Sequence, residues 1–128
     1  MDDCIFCKIV RREIDSYPVY EDSDFLAFLD IFPVSRGHVQ VIPKAHYRWV
    51  WDVPNIGRYF EVCRMIARAQ QKAFGIELVQ CFTYGEEVTH AHVWIIPQTG
   101  GELIHSAARV AFRTEEAPQL AEQIKKHL

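Results

Sequence analysis

One stretch limits the fold more than any other. Ile56, Tyr59, Phe60, Cys63, Ile66, Ala67 and Phe74 recur at 3.6-residue spacing, with Arg58, Glu61, Arg64, Arg68 and Lys72 on the opposite side. This spacing predicts one long amphipathic helix. Asp52 or Asn55 is placed to cap its start, Pro54 suits the first turn, and Gly75 is placed to end it. A lone helix of this kind must bury its apolar stripe against something else. The chain offers short β-rich runs: Val19 and Tyr20 leading into 25–29, then 38–42, 78–82 and 90–96, separated by turn signals at 22–24, 33–37 and Pro43. A weaker helical pattern covers 115–127. Strands grouped around one long helix predict an α+β domain with a largely antiparallel sheet.

Composition narrows the class. At 128 residues, 49% hydrophobic and 24% charged, the chain is expected to form one domain over 1–128. The net charge is -3 and Lys and Arg are scattered, so nucleic acid is not an expected partner. No apolar run approaches the ~18 residues that span a bilayer, and Met1-Asp2-Asp3 does not open a secretory signal. The expectation is a cytoplasmic protein without membrane contact. In a reducing compartment the isolated Cys63 and Cys81 read as small core residues.

The fourth run alternates sharply. Ala91, Val93 and Ile95 fall on one strand face; His90, His92 and Trp94 share the other. Two histidines so placed stand roughly 6 to 7 Å apart and can line one pocket. They can be half-buried residues satisfied by neighbours, a metal pair, or the seat of covalent catalysis. For the last, a neutral imidazole at pH 7 is a competent nucleophile toward phosphorus.

Residues 87–97, centred on His90-Ala91-His92-Val93-Trp94, resemble the signature of the histidine-triad family. Cys4-Ile5-Phe6-Cys7-Lys8-Ile9 resembles the opening of its Hint-like branch. Tyr20-Glu21-Asp22 with 25–30, and 37–47 including Pro43-Lys44-Ala45-His46, are similar to further blocks in the family's order. The resemblance implies a five-stranded, mostly antiparallel sheet with one long and one C-terminal helix. It also implies hydrolysis or transfer at the α-phosphate of a purine nucleotide, such as a nucleoside phosphoramidate or dinucleoside polyphosphate. His92 takes the nucleophile's position, His90 that of the first histidine, and Asp30 that of the acid bonding the ribose hydroxyls. Ile5, Phe6, Ile9, Phe28 and Ile31 match the apolar cleft for the base; Gly85, with the segment through Val88, matches the phosphate loop. A homodimer through the long helix and the 78–82 strand is also implied.

Two positions depart from the family pattern. Trp94 stands where the third histidine is expected, and an indole N–H donates but is no acid at neutral pH. Losing a positioned proton donor typically costs about 10²- to 10⁴-fold. The loop 83–87 is short, and Glu86 stands where Gln is common. Low turnover in a nucleotide-binding or scaffold protein is therefore the alternative.

Cys4 and Cys7 form a C-x-x-C pair, which alone suits a redox pair, a zinc half-site or two core thiols. In bacterial members of the Hint-like branch this pair joins a histidine after Pro-Lys and the first triad histidine. His46 and His90 occupy those places, so a structural zinc site of Cys4, Cys7, His46 and His90 is implied. His38 is expected to buttress the loop at Gly37, with His105 and His127 at the surface.

Overall fold

The computed structural model describes residues 3–100 and 109–128. Among the described residues five strands, β1 (Pro18–Glu21), β2 (Phe25–Leu29), β3 (Val39–Pro43), β4 (Val79–Phe82) and β5 (Val93–Pro97), form one sheet in the order β1-β2-β3-β5-β4. Every pairing is antiparallel. Three helices accompany it: α1 (Ile5–Val10), α2 (Ile56–Phe74) and α3 (Ala117–Lys125).

Strand alternation sorts the two faces. Phe25, Ala27, Leu29, Val39, Val41, Val93 and Ile95 form the main core with Tyr59, Val62, Cys63, Ile66 and Ala69 of α2 and Leu120, Ala121 and Ile124 of α3. On the other face Leu26, Phe28 and Ile42 pack against Phe6 and Ile9 of α1. His92, Gln40 and Trp94 belong to this second face. The sheet is thus covered by two helices on one side and only partly by a short helix on the other, which leaves room for a cavity.

α2 begins and ends as its sequence dictates. The Asn55 side chain accepts from the Arg58 N–H at 3.4 Å, while Asp52 instead accepts from the Trp49 N–H beside a short 3-10 turn. Gly75 closes the helix at φ 61°, a left-handed conformation that L side chains resist. The buried stripe of α2 differs from the expected one: Ile56 and Phe60 are exposed, and Val62, Ala69 and Gln70 are buried. Gln70 is there because its amide donates to the carbonyls of Gly37 and Ile95, both at 3.0 Å, tying α2 to two loop and strand ends. Cys81 is likewise corrected from core to surface, because β4 is the sheet edge; Cys63 is buried as expected. No helix among the described residues is long and apolar enough to cross a membrane.

Candidate functional site

A cavity of about 550 Å³ opens between α1, the end of β2, β3, β5 and the loop 83–88. Its walls carry Ile5, Phe6, Ile9, Phe28, Ile31, Gly85 and Val88, with Asp30, His92 and Trp94 also lining it; Val88 packs against the cluster that contains Phe6, Ile9 and Phe28. The expected pocket residues are therefore assembled in one place, with the exception of His90. That histidine is fully buried beside the cavity, in a second cluster.

His92 is fixed by its backbone. Its Nδ1 lies 2.8 Å from the carbonyl oxygen of His90, and a carbonyl only accepts, so Nδ1 carries the proton. Nε2 is left with its lone pair and has no hydrogen-bond partner among the described residues. Burial pushes the His92 pKa down against the opposing pull of the His90 carbonyl and Asp30, which keeps the ring neutral at pH 7. Phe6 packs edge-on against both histidine rings, at 5.3 Å from His92 and 5.8 Å from His90. Thr83 Oγ1 donates to the His92 carbonyl at 2.8 Å and pins the backbone at that point.

Asp30 is held at both oxygens. Oδ1 accepts the Phe32 N–H at 2.7 Å and Oδ2 accepts the Gln40 amide at 2.9 Å. Burial raises its pKa, against those two hydrogen bonds. His38 Nε2 stands 3.5 Å from Oδ2, but burial pushes the His38 pKa down to about 3. The contact is therefore with a neutral ring and is no ion pair. His38 Nδ1 accepts the Val34 N–H at 3.0 Å, which ties down the turn containing Gly37 as expected.

Trp94 packs as a structural ring. Its indole lies 5.0 Å from the His38 ring and 5.5 Å from Phe82, with the Arg109 guanidinium 5.0 Å over its face. The indole nitrogen is buried and has no hydrogen-bond partner among the described residues. At the loop, Gly85 adopts φ 81°, and a Cβ there would meet Trp49 at 3.0 Å and the Arg48 guanidinium at 3.3 Å. Arg48 itself stacks 3.6 Å over the Trp49 ring.

The second cluster contains Cys4, Cys7, His46 and His90, whose ligand atoms all lie within 4.8 Å of one another. Cys4 Sγ is 3.4 Å from His90 Nδ1; Cys7 Sγ is 3.3 Å from His46 Nδ1 and 3.5 Å from His90 Nδ1. A tetrahedral zinc ion with sulfur at ~2.3 Å and nitrogen at ~2.05 Å spaces its ligands by about 3.5 Å, so this donor set fits zinc. His90 Nε2 donates to the Pro43 carbonyl at 2.8 Å, which turns the Nδ1 lone pair toward the sulfurs. Burial pushes the His90 pKa down to about 4, so the ring is a neutral ligand. Cys4 also caps α1, its Sγ accepting the Cys7 N–H at 3.4 Å.

Residues 11–101 match the HIT domain. The chain belongs to the HIT family. It is 31% identical to the adenylylsulfatase HINT3 of Arabidopsis thaliana over 99% of this chain and 70% of that protein. It is 34% identical to the adenosine 5'-monophosphoramidase HNT1 of Saccharomyces cerevisiae over 74% of this chain and 62% of that one. A Hit-like protein involved in cell-cycle regulation from Bartonella henselae superposes with a TM-score of 0.86 at 33% identity, over 100% of this chain and 98% of that chain. A Zn-bound histidine triad family protein from Mycobacterium smegmatis gives 0.84 at 26% identity, over 98% and 93%.

Within this HIT chain, sequence reasoning missed α1 as a helix and Gln40, Phe82 and Thr83 as parts of the site. The Cys4-Cys7 and Phe6-Ile9 pairs at i, i+3 were the available signal for α1. Gln40 was visible as the polar residue inside an aliphatic strand. His127 is exposed as expected, and His105 lies outside the described residues.

Proposed function

We propose that this HIT protein is a nucleotide hydrolase or transferase acting at the α-phosphate, with His92 as nucleophile. The observation that carries this reading is the His92 tautomer. A backbone carbonyl holds Nδ1–H, and the Nε2 lone pair belongs to a ring lining a cavity that also carries apolar side chains and a carboxylate. The base sits among Ile5, Phe6, Ile9, Phe28 and Ile31, the ribose hydroxyls donate to Asp30, and the phosphate lies against the loop from Gly85 to Val88. Nε2 forms a bond to the α-phosphorus while the P–N or P–O bond to the leaving group breaks and its electron pair departs. The leaving amine or phosphate takes its proton from solvent. The Nδ1–H bond to the His90 carbonyl stabilises the positive ring of the nucleotidyl-histidine. Water then attacks phosphorus and gives up a proton to solvent as the P–Nε2 bond breaks, which releases the mononucleotide and returns the electron pair to Nε2.

The yeast and Arabidopsis relatives are named for adenylate chemistry, which supports a purine nucleotide; phosphoramidates head the substrate classes and dinucleoside polyphosphates follow. Zinc would be held by Cys4, Cys7, His46 and His90 and would supply structural cross-linking, anchoring α1 to the segment before β5 that carries His92. The edge strand β4, the exposed Leu78 just before it and the exposed Ile56 and Phe60 of α2 suit a homodimer through α2 and β4, and reduced thiols suit a cytoplasmic setting. The packing of Trp94 favours a second reading, a nucleotide-binding protein with low turnover. Hydrolysis of an adenosine 5'-phosphoramidate separates the two. His92→Ala is expected to lose at least about 10³-fold in kcat while binding nucleotide within about tenfold of wild type. A wild type that binds AMP and turns nothing over supports the second reading.

A further inference from the structure

Gln40 is the second residue of β3, between Val39 and Val41, its Cα paired with Phe28 on one side and Trp94 on the other. The strand's alternation turns it away from the main core and into the cavity wall. A buried amide there is costly unless its hydrogen bonds are used. Its NH2 donates to Asp30 Oδ2, and a carboxylate that only accepts fixes that orientation of the amide. Its carbonyl Oε1 is buried with no hydrogen-bond partner among the described residues. The other Asp30 oxygen is taken by the Phe32 N–H. One protein donor at each oxygen leaves each with further accepting capacity, at a residue that lines the cavity.

We propose that Gln40 is a positioning residue that makes the site selective for a vicinal diol, and so for ribonucleotides over 2'-deoxyribonucleotides. It does so by locking the Asp30 carboxylate in the orientation that receives two hydroxyl donors. This rests on the reading of Asp30 as the sugar-binding carboxylate. Without the Gln40 amide the carboxylate keeps one hydrogen bond, from the Phe32 N–H, and at Oδ2 only the long 3.5 Å contact with the neutral His38 ring, so it is freer to rotate about the Cβ–Cγ bond. A deoxyribose, which offers Asp30 one hydroxyl, loses less from that rotation than a ribose does.

The test is calorimetric titration of AMP and 2'-deoxy-AMP into wild type, Gln40→Met, Gln40→Asn and Asp30→Asn. Gln40→Met keeps the volume without the amide, and Gln40→Asn keeps the amide one methylene short of Asp30. The wild type is expected to bind AMP at least about tenfold more tightly than 2'-deoxy-AMP, as for one lost hydrogen bond to a charged group. Either folded Gln40 variant is expected to shrink that preference to below about threefold by weakening AMP alone. A purely structural role would weaken both nucleotides together and overturn the proposal. So would a preference that Asp30→Asn abolishes and the Gln40 variants retain. Absence of any preference in the wild type, with Asp30→Asn binding AMP normally, would remove the Asp30 reading and this proposal with it.

Discussion

The Nδ1 of His92 and the carbonyl oxygen of His90 are 2.8 Å apart, and that single hydrogen bond joins the two clusters of the molecule. His90 points its ring into the cysteine cluster and its main-chain oxygen to His92. Anything that fixes the His90 ring therefore fixes the acceptor that selects the His92 tautomer.

Zinc is the first consequence. The purified protein is expected to carry about one zinc per chain, since structural zinc contributes folding free energy outright. Cys4→Ser combined with Cys7→Ser, and chelation of the wild type, are each expected to lower the Tm. Elemental analysis that finds no metal, with a Tm indifferent to chelator, would count against the site.

Trp94 gives a prediction with an unambiguous sign. Its ring fills the space between His38, Phe82 and the Arg109 guanidinium, so a smaller ring leaves a void. Trp94→His is expected to lose about 2 to 4 kcal/mol of stability and to gain no kcat. Thermal melts and steady-state rates of this one variant check it. A variant that is as stable as wild type and faster would show that the indole merely occupies a catalytic position.

Acid stability is expected to depend on Asp22. Burial pushes its pKa up, but hydrogen bonds from Tyr20, the Asp24 and Phe25 N–H groups and Arg58 outweigh that, and the net shift is downward. A carboxylate with a lower pKa folded than unfolded stabilises above its unfolded value of about 3.9 and loses that contribution as pH falls through the folded value. Asp22→Asn is therefore expected to be less stable than wild type at pH 7, with the gap closing as pH falls below the unfolded value of about 3.9 and through the lower folded one. Denaturant titrations across that range measure it; a gap independent of pH would contradict the assignment.

How much of this was legible in the sequence follows from which residues carry a periodic signal. The sheet was readable because Val93 and Ile95 alternate with Trp94. β5 begins only at Val93, however, so His90 and His92 precede the strand, and the His90 ring turns to the cysteine cluster instead of sharing the cavity face with His92 and Trp94. The metal cluster was not readable from spacing: Cys4 and His90 meet across 86 positions, and the resemblance to a family joined them. The stripe of α2 drifted because Phe60 and Ile56 are apolar yet exposed, whereas Gln70 is polar yet buried by two carbonyls. Periodicity records hydrophobicity and knows nothing of such partners. α1 was missed for its length, since six residues are too few to establish a period.

The proposed catalysis turns on a bond between His92 Nε2 and the α-phosphorus. Rapid acid quench of the protein with an adenosine 5'-phosphoramidate, followed by peptide mass spectrometry, measures this directly. An adenylyl group is expected on the peptide containing His92 and absent from His92→Ala, with the adduct forming and decaying at rates consistent with turnover. Substrate hydrolysed at an undiminished rate by His92→Ala, or an adenylyl group found on another residue, would contradict it.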